Sequence, residues 1–349
     1  MRVSAGVALA ELTTLRVGGP AARLVTAASA MEIVAAVGAA DAAAEPVLLL
    51  GGGSNLVVAD AGWPGVVVLL RSRGVRVDRV DDRVELTAQA GEPWDDLVAR
   101  VVADGLAGVE CLAGIPGLTG ATPVQNVGAY GQEVADTIVG VRVFDRHTGG
   151  VGDLPPAECG FGYRDSRFKH SDRYVVLAVT FGLRAQPLSG PIRYVELARA
   201  LGIRVGEQAK LGEVRDAVLG LRRGKGMVLD PDDPDTASVG SFFTNPVLSP
   251  SALAAFEARL PPGTPYPSWP AGAGGSKLSA AWLIEHSGFG KGYGTDRVRL
   301  SGKHTLALTN RGGAGAAEVL ALAREIRAGV HARYGVTLTP EPLLVGVAL

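Results

Sequence analysis

An apolar strand that stops at three consecutive glycines constrains this chain more than any other segment. The aliphatic run Val47–Leu50 is followed by Gly51, Gly52 and Gly53, and then by Ser54 and Asn55. A backbone without Cβ atoms reaches positive φ and brings its N–H groups close to a ligand, and successive N–H groups form a concavity that favours phosphate. The stretch predicts either a phosphate-binding turn or an ordinary glycine turn without a ligand.

The residues after this turn argue against a dinucleotide site of the Rossmann type. Such a site needs G-x-G-x-x-G/A at the start of a helix. Here the third glycine position is Leu56, and aliphatic residues follow at Val57 and Val58 and again from 65 to 70. This pattern is a strand followed by a strand. We therefore expect a phosphate-bearing cofactor that is held in another way.

Composition narrows the class of protein further. A chain of 349 residues is expected to form two or three domains. A formal net charge of −1 gives no basic face for nucleic acid. The two cysteines, Cys111 and Cys159, lack C-x-x-C spacing and the five histidines are scattered, so we expect no disulfide framework and no metal site. No apolar run reaches the roughly 18 residues of a membrane span. The broken apolar N-terminus is unlike a signal peptide, so we expect a cytoplasmic protein.

A second glycine-rich stretch, residues 112–132, contains five glycines and no charged residue. A surface loop of this length normally carries charges, and a core element rarely carries so many glycines and prolines. A flat, uncharged ligand such as an isoalloxazine ring, together with the pyrophosphate of its nucleotide, would explain both features. A buried irregular loop packed under another domain would explain them about as well.

Arg164 stands in an aromatic, glycine-flanked segment between two predicted strands. A planar guanidinium in such a place suits a carboxylate or carbonyl ligand. The commoner role for an arginine is a salt bridge, here to Asp165 or another nearby acid. Both interpretations remain open from these residues alone.

Ser241 and Glu341 are the other two candidates for chemistry. Gly240 lets the backbone bend so that Ser241 projects, and the two following phenylalanines would keep its surroundings dry, which favours proton transfer. Glu341 precedes an apolar strand, where burial would raise its pKa and prepare it for catalysis. The plainer alternatives are a serine that caps a turn and a glutamate at a surface turn.

Residue patterns also predict several regular elements. We expect a helix that begins at the capping box Ser29-x-x-Glu32, a helix over 94–106, a strand over 303–308 and a helix over 314–334. Near residue 223 a charged helix ends in Arg222, Arg223 and Lys225, which could neutralise a diphosphate or simply form a basic last turn.

Taken in order, seven blocks of this sequence resemble the UDP-N-acetylenolpyruvoylglucosamine reductases, the MurB flavoenzymes of bacterial peptidoglycan synthesis, and the resemblance covers nearly the whole chain. The blocks are T-T-L-R-V-G-G-P-A (13–21), L-G-G-G-S-N-L (50–56), G-I-P-G-L-T-G-A-T-P-V-Q-N-V-G-A-Y-G-Q (114–132), Y-R-D-S (163–166), R-R-G-K (222–225), G-S-F-F-T-N-P (240–246) and P-E-P-L-L-V-G (340–346). The spacing between Tyr163 and Lys225 is similar to that of the longer family branch, which carries an extra tyrosine-bearing segment.

The resemblance implies an α+β protein with an FAD-binding domain of the vanillyl-alcohol-oxidase type and a separate α+β substrate-binding domain. It implies a first FAD-binding subdomain over residues 1–72 and a second over 73–226 and 332–349. The substrate-binding domain would then span 227–331. It also implies a cytoplasmic monomer of the cell-wall pathway with no nucleic-acid partner.

The chemistry that the resemblance implies is a two-step reduction. NADPH would reduce a noncovalently held FAD and leave, and the enolpyruvyl UDP-sugar would then take a hydride from flavin N5 at its C3. Ser241 matches the family serine that gives a proton to C2. Arg164 and Glu341 match the pair that stabilises the enolate-like intermediate, which is the kind of charge stabilisation that contributes most to such reactions.

The resemblance also assigns binding residues. Those implied to hold FAD are Gly51, Gly52, Gly53, Ser54, Asn55, Gly114, Pro116, Gly117, Thr122, Pro123, Gln125, Asn126, Gly128, Ala129 and Tyr130. Those implied to contact the UDP-sugar are Tyr163, Tyr194, Arg222, Lys225, Asn245 and His304.

Two departures from the family pattern accompany the match. The usual acid–valine pair is Glu341-Pro342 here, so the backbone N–H after the acid is missing, and the segment from Lys225 to Ser241 is longer than in the family pattern. Two other functions remain as alternatives. One is an FAD oxidase of the same fold that passes electrons to oxygen, and the other is a non-catalytic nucleotide-binding or sensor protein, which would not be reduced by NADPH.

Overall fold

A computed structural model describes residues 1–80 and 83–349 of the chain. The chain divides into two compact units, and the two units interleave along the sequence. Unit 1 comprises Met1–Val7, Ala21–Gly53 and Trp63–Val228. Unit 2 comprises Ala8–Pro20, Ser54–Gly62 and Leu229–Leu349.

Among the described residues, every strand of six or more residues belongs to one of two sheets in unit 1. The described strands are β1 (Arg2–Ser4), β2 (Val7–Ala8), β3 (Pro20–Ala27), β4 (Val47–Leu50), β5 (Leu56–Val58), β6 (Trp63–Leu70), β7 (Val75–Val80), β8 (Arg83–Gln89), β9 (Leu106–Ala107), β10 (Gly128–Ala129), β11 (Gln132–Glu133), β12 (Ile138–Asp145), β13 (Gly150–Leu154), β14 (Tyr174–Ala185), β15 (Val247–Leu248), β16 (Ser268–Pro270), β17 (Ser276–Leu278), β18 (Val298–Leu300), β19 (Leu308–Asn310) and β20 (Leu343–Val345).

The helices lie between these strands. They are α1 (Ala30–Ala42), α2 (Trp94–Ala103), α3 (Pro156–Cys159), α4 (Val195–Leu201), α5 (Leu211–Gly224), α6 (Pro250–Glu257), α7 (Ala280–His286) and α8 (Ala316–Tyr334). Short 3-10 turns occur at Leu9–Leu12, Glu110–Leu112, Thr119–Ala121, Val134–Asp136, Pro234–Thr236 and Gly272–Gly274.

The first sheet of unit 1 has the order β1-β3-β6-β4, and β2 also pairs with β3. Strands β3, β6 and β4 run parallel, and α1 lies between β3 and β4 in the chain. The last five residues of β6, Val66–Leu70, are all buried, which explains their unbroken aliphatic sequence, since a central parallel strand is covered on both faces. The glycine turn therefore follows β4 at the carboxyl end of this sheet.

The second sheet of unit 1 is antiparallel, with the order β13-β12-β14-β8-β7 and β9 paired to β14. Along β8 the side chains of Val84, Leu86 and Ala88 are buried while their neighbours are more exposed, because alternate residues of a strand face the core. The sheet packs with α2 and α5 into one hydrophobic core, in which the Trp94 and Phe181 rings lie 5.6 Å apart.

Unit 2 has a separate core built around α7 and α8. It includes Phe242, Phe243 and residues of both helices. Its strands form the antiparallel sheet β15-β17-β16, the pair β18-β19 and the parallel pair β20-β5. The last pair joins the segment after the glycine turn to the C-terminal segment that follows Glu341.

The predicted start of α1 is confirmed, since the Ser29 side chain accepts a hydrogen bond from Glu32 N. Helix α2, expected over 94–106, ends at Ala103 because Gly105 turns the chain with φ of +69° and Leu106 joins β14. Helix α8 begins at Ala316 and not at 314, because Ala314 N bonds to the side chain of Asn310.

The predicted strand over 303–308 is wrong. The strand in this region is β19, from Leu308 to Asn310. Lys303 N and His304 N both donate to Ser301 Oγ, at 2.9 and 3.2 Å, and Ala307 N donates to His304 O. These local bonds form a turn and leave no continuous ladder for residues 303–307. The mixed polar and apolar sequence of residues 303–308 resembles that of a strand, although residues 303–307 form a turn.

The expected division into three cofactor and substrate domains stays a prediction. Residues 332–349 and 227–331, which that division separates, fall together in unit 2 from Leu229 onward. The boundary between Val228 and Leu229 lies directly before the acidic, proline-broken segment 230–235. No helix of the described residues is both long and apolar enough to cross a membrane.

Candidate active site

The two glycine-rich stretches of the sequence lie against each other in unit 1. A Cβ atom at Gly52 would stand 2.7 Å from the Cα atom of Gly117 and 3.2 Å from its carbonyl carbon. Such a distance is well inside van der Waals contact, so glycine is required at position 52 by the approach of the second loop. The turn is also fixed from the other side, where Gly51 O accepts a bond from Arg71 Nη1 at 3.2 Å.

The longer loop is held by backbone hydrogen bonds to the segment that connects β8 to α2. Trp94 N donates to Gly117 O, Thr119 N donates to Glu92 O, and Gly120 N donates to Ala90 O, at 3.1, 2.8 and 2.9 Å. Many residues from 111 to 123 are buried. Burial accounts for part of the missing charge, as the buried-loop alternative proposed, while residues 115–117 and 124–125 remain only half-buried.

The side chain of Arg164 is hydrogen-bonded to the second half of this loop. Its Nη2 atom donates to Gly128 O at 2.7 Å and its Nη1 atom donates to Asn126 O at 3.4 Å. A tight turn between residues 162 and 165 gives Arg164 a φ of +52°, and Lys169 Nζ donates to its carbonyl oxygen at 2.7 Å. The salt-bridge alternative also applies, because Arg164 Nη1 lies 3.7 Å from Oε1 of a nearby acid, Glu133.

Ser241 and Glu341 are brought together in unit 2, although 100 residues separate them in sequence. Glu341 N donates to the carbonyl oxygen of Phe242, the residue after Ser241, at 2.9 Å. An antiparallel bridge between Phe243 and Pro340 continues the pairing. Gly240 has a φ of +74°, and both phenylalanines are fully buried, as the sequence predicted.

Asn55 also reaches this part of unit 2. Leu343 N donates to Asn55 O at 2.9 Å, and Asn55 Nδ2 lies 3.5 Å from Glu341 O. Strand β5 pairs with β20 in parallel directly after these contacts. The end of the glycine stretch and the segment of the candidate acid are therefore one local structure.

Four residues of the predicted binding set form a cluster in unit 1. The rings of Tyr130 and Tyr194 meet edge to face at 5.4 Å, and Lys225 Nζ lies 5.6 Å from the Tyr130 ring. Lys225 also pairs with Glu196 at 2.6 Å. Burial raises the pKa of Tyr130 to about 12, so its phenol stays protonated at neutral pH and can donate a hydrogen bond.

Arg222 lies at the base of this cluster. Burial lowers the pKa of its guanidinium, and its Nη2 atom donates to Met227 O at 2.9 Å. Within the described part of the chain its Nε atom is buried and has no hydrogen-bond partner. A buried cation with an unused donor suits an anionic ligand.

The remaining predicted substrate residues are placed differently. Asn245 Oδ1 accepts a bond from Ala280 N at 2.9 Å, so its side chain helps to cap α7 in unit 2. His304 lies in the turn after Ser301 in the same unit. Tyr163 is 41% exposed in unit 1, with the Arg164 guanidinium 5.4 Å from its ring.

Comparisons with known proteins agree on one family. A model of an FAD binding domain matches residues 21–154, and a model of the UDP-N-acetylenolpyruvoylglucosamine reductase C-terminal domain matches residues 232–345. The reductase of that name from Salinispora arenicola is 58% identical over 345 residues, covering 98% of this chain and 95% of the relative. The reductase from Thermobifida fusca is 56% identical over 349 residues, covering 98% of each chain.

The chain belongs to the UDP-N-acetylenolpyruvoylglucosamine reductase family. The crystal structure of the MurB reductase from Thermus caldophilus matches with a TM-score of 0.67 at 27% identity and covers 99% of both chains. The predicted family, the α+β fold with its FAD-binding domain, and an FAD-dependent reductase activity are thereby confirmed.

The geometry of this reductase suits FAD at the packed glycine loops. At the Gly52–Gly117 contact two glycine backbones approach each other without side chains between them, an arrangement that leaves backbone N–H groups close to a ligand and suits the pyrophosphate of FAD. Both cysteines are buried. Among the described residues, no group of three or more metal-binding side chains occurs.

Sequence reasoning missed several residues that shape the site. Glu133 forms a salt bridge with Arg164, and Lys169 donates a hydrogen bond to the Arg164 carbonyl oxygen. Arg71 donates a hydrogen bond to Gly51 O in the glycine turn, and Glu196 forms a salt bridge with Lys225. Each is an ordinary charged residue outside a glycine motif, and nothing in its local sequence indicates its partner.

Proposed function

We propose that Ser241, Arg164 and Glu341 carry out the reduction of UDP-N-acetylglucosamine enolpyruvate to UDP-N-acetylmuramate in this enzyme. The observation that carries the proposal is the hydrogen bond from Glu341 N to Phe242 O, because it sets a distant acid beside the segment that bears the serine. Arg164 is presented by the loop that the sequence predicted to hold FAD.

The proposed roles follow from the charge that develops on the substrate. Bound FAD, after reduction by NADPH, supplies a hydride to C3 of the enolpyruvyl group. Negative charge then accumulates at C2 and on the adjacent carboxylate. Arg164 stabilises this charge through its fixed guanidinium, and Glu341, as the protonated carboxyl group, donates a hydrogen bond to the same intermediate. Ser241 donates its hydroxyl proton to C2 and regains one from solvent, which completes the lactyl ether.

The UDP portion of the substrate is assigned to the remaining predicted residues. Arg222 and Lys225 supply positive charge for the diphosphate, and the unused buried Nε atom of Arg222 supports this role. Tyr194, Tyr163, Asn245 and His304 complete the proposed set. We also propose that the enzyme is a cytoplasmic monomer and that NADPH leaves before the UDP-sugar enters.

The proposed function is tested by the visible spectrum of the purified protein under anaerobic conditions. We expect a yellow chromophore that is released on denaturation, is bleached by NADPH and returns to yellow when the enolpyruvyl UDP-sugar is added. Recovery of the colour with oxygen, but not with the sugar, would support the oxidase alternative. A colourless protein, or one that NADPH does not bleach, would support the nucleotide-binding alternative.

A further inference from the structure

Asn126 is buried within the second glycine-rich loop, and the protein itself uses all of its side-chain hydrogen-bonding groups. Its Nδ2 atom donates to Glu133 Oε2 at 2.8 Å and to Gly162 O at 3.0 Å. Its Oδ1 atom accepts a bond from Ala135 N at 3.1 Å. An amide with two donors used and its acceptor engaged offers little to a ligand, so its side chain serves the protein structure.

The partners of Asn126 surround Arg164. Gly162 opens the turn that holds Arg164, and the Asn126 carbonyl itself accepts from Arg164 Nη1 at 3.4 Å. The two carboxylate oxygens of Glu133 have different partners. Oε2 accepts the hydrogen bond from Asn126 Nδ2, and Oε1 lies 3.7 Å from Arg164 Nη1. The amide thus orients the carboxylate that faces the guanidinium.

Gly128 completes the arrangement because it leaves room for both charged side chains. A Cβ atom there would lie 2.8 Å from Glu133 Cγ and 3.1 Å from Arg164 Nη1. Asn126 adopts a φ of +44°, a conformation that asparagine tolerates better than most residues. The sequence N-V-G-A-Y-G-Q-E is therefore suited to hold one guanidinium at a defined angle.

We propose that Asn126 and Glu133 act together as positioning residues for Arg164. Asn126 fixes both the Arg164 turn and the Glu133 carboxylate, and Glu133 in turn limits the rotation of the Arg164 guanidinium and so sets the angle at which it meets the substrate. A bidentate contact depends strongly on such orientation. This inference rests on the proposed catalytic role of Arg164 and concerns the residues that make that role effective.

The test uses Glu133→Gln in the enzyme with FAD bound. Glutamine keeps an oxygen for Asn126 Nδ2 but removes the charge that faces Arg164. The Glu133 side chain is 40% exposed, so the variant should fold normally. We expect NADPH to reduce the flavin at the wild-type rate, whereas reoxidation by the enolpyruvyl UDP-sugar slows by about tenfold, in the range for residues in direct contact.

A matched control is Glu158→Gln. Glu158 is also an exposed acid beside an arginine of unit 1, Arg167, at 4.0 Å. Neither half-reaction should change in this variant. A general loss of charge from unit 1 would slow both variants equally and would overturn the inference.

Arg164→Lys and the double variant separate the inference from the proposed function. If the positioning role is correct, Arg164→Lys slows reoxidation strongly and adding Glu133→Gln slows it little further, because the two changes act on one interaction. Independent, multiplicative effects would overturn the inference and leave the role of Arg164 intact. A wild-type reoxidation rate in Arg164→Lys would instead refute the proposed function itself.

Asn126→Asp tests the other half of the pair. Aspartate keeps the shape and the positive-φ tolerance but places a second carboxylate against Glu133. We expect this variant to retain FAD and to be reoxidised slowly by the enolpyruvyl UDP-sugar. Reoxidation of the double variant Asn126→Asp, Arg164→Lys should be no slower than that of Arg164→Lys alone. Loss of FAD with normal reoxidation of the remaining holoenzyme would assign Asn126 to the cofactor and overturn the inference.

Discussion

The glycine loops of unit 1 and the serine turn of unit 2 both depend on glycine, but for different physical reasons. Gly52 lies against the backbone of Gly117, so any side chain there collides with another segment. Gly240 has open space around its Cβ position and is required only by its φ of +74°. Position 52 is constrained by crowding and position 240 by backbone conformation.

This difference indicates how each region supports function. Crowded backbone segments form a rigid surface on which N–H groups are held without side chains between them and a ligand. The positive φ of Gly240 instead sets the path of the backbone into Ser241, directly before the buried Phe242 and Phe243. A rigid backbone surface is suited to binding a large flat cofactor, whereas a single turn is suited to placing the one side chain that transfers a proton.

The largest effect is expected for Gly52→Ala. The new methyl group must displace the backbone of Gly117, so we expect a loss of about 1–3 kcal/mol of stability, as for overpacked sites. FAD should be retained poorly, which gives a pale protein on purification. Thermal unfolding and the flavin absorbance per polypeptide measure the two effects.

Gly140→Ala, in strand β12 of the same unit, is the control for that variant. A Cβ atom at Gly140 would meet no atom within 4 Å, and the residue has no positive φ. It should retain FAD and stability close to those of the wild type. Equal damage in the two variants would show that crowding against Gly117 is not what position 52 requires.

A smaller effect is expected for Gly240→Ala. No atom obstructs the new methyl group, so the cost is limited to the left-handed backbone, about 1–2 kcal/mol. FAD content should be unchanged, and the reoxidation step should slow because the serine is redirected. Gly290→Ala, at an uncrowded glycine of unit 2 without positive φ, serves as the control and should behave as the wild type.

An FAD loss in Gly240→Ala as large as in Gly52→Ala would contradict the division between the two regions. Conversely, normal reoxidation by Gly240→Ala would show that the turn tolerates another conformation. The flavin spectrum and rapid-mixing kinetics of the same samples decide between these outcomes.

Much of the fold could be predicted from sequence where the signal is local. The strand before Gly51, the capping box at Ser29 and the long apolar face of α8 each lie within one element, and the structure confirms all three. The strand expected over 303–308 failed because one side chain, Ser301, organises a turn that hydrophobic pattern does not reveal.

The pairings that build the site could not be derived from local pattern. The bond between Glu341 and Phe242 joins segments far apart in sequence, and so does the contact between Gly52 and Gly117. Each segment alone is compatible with several partners, because every residue except proline offers the same backbone donor and acceptor. The family resemblance suggested which segments act together, and the structure shows how those within each unit meet.

The most direct test of the account is to follow both half-reactions of Ser241→Ala by rapid mixing. The account predicts that NADPH still reduces the flavin at nearly the wild-type rate, because the glycine loops are untouched. Reoxidation by the enolpyruvyl UDP-sugar should slow by a factor of about 100 or more, as expected when a positioned proton donor is removed. Equal slowing of the two steps, or wild-type reoxidation, would contradict the assignment of proton transfer to the serine turn.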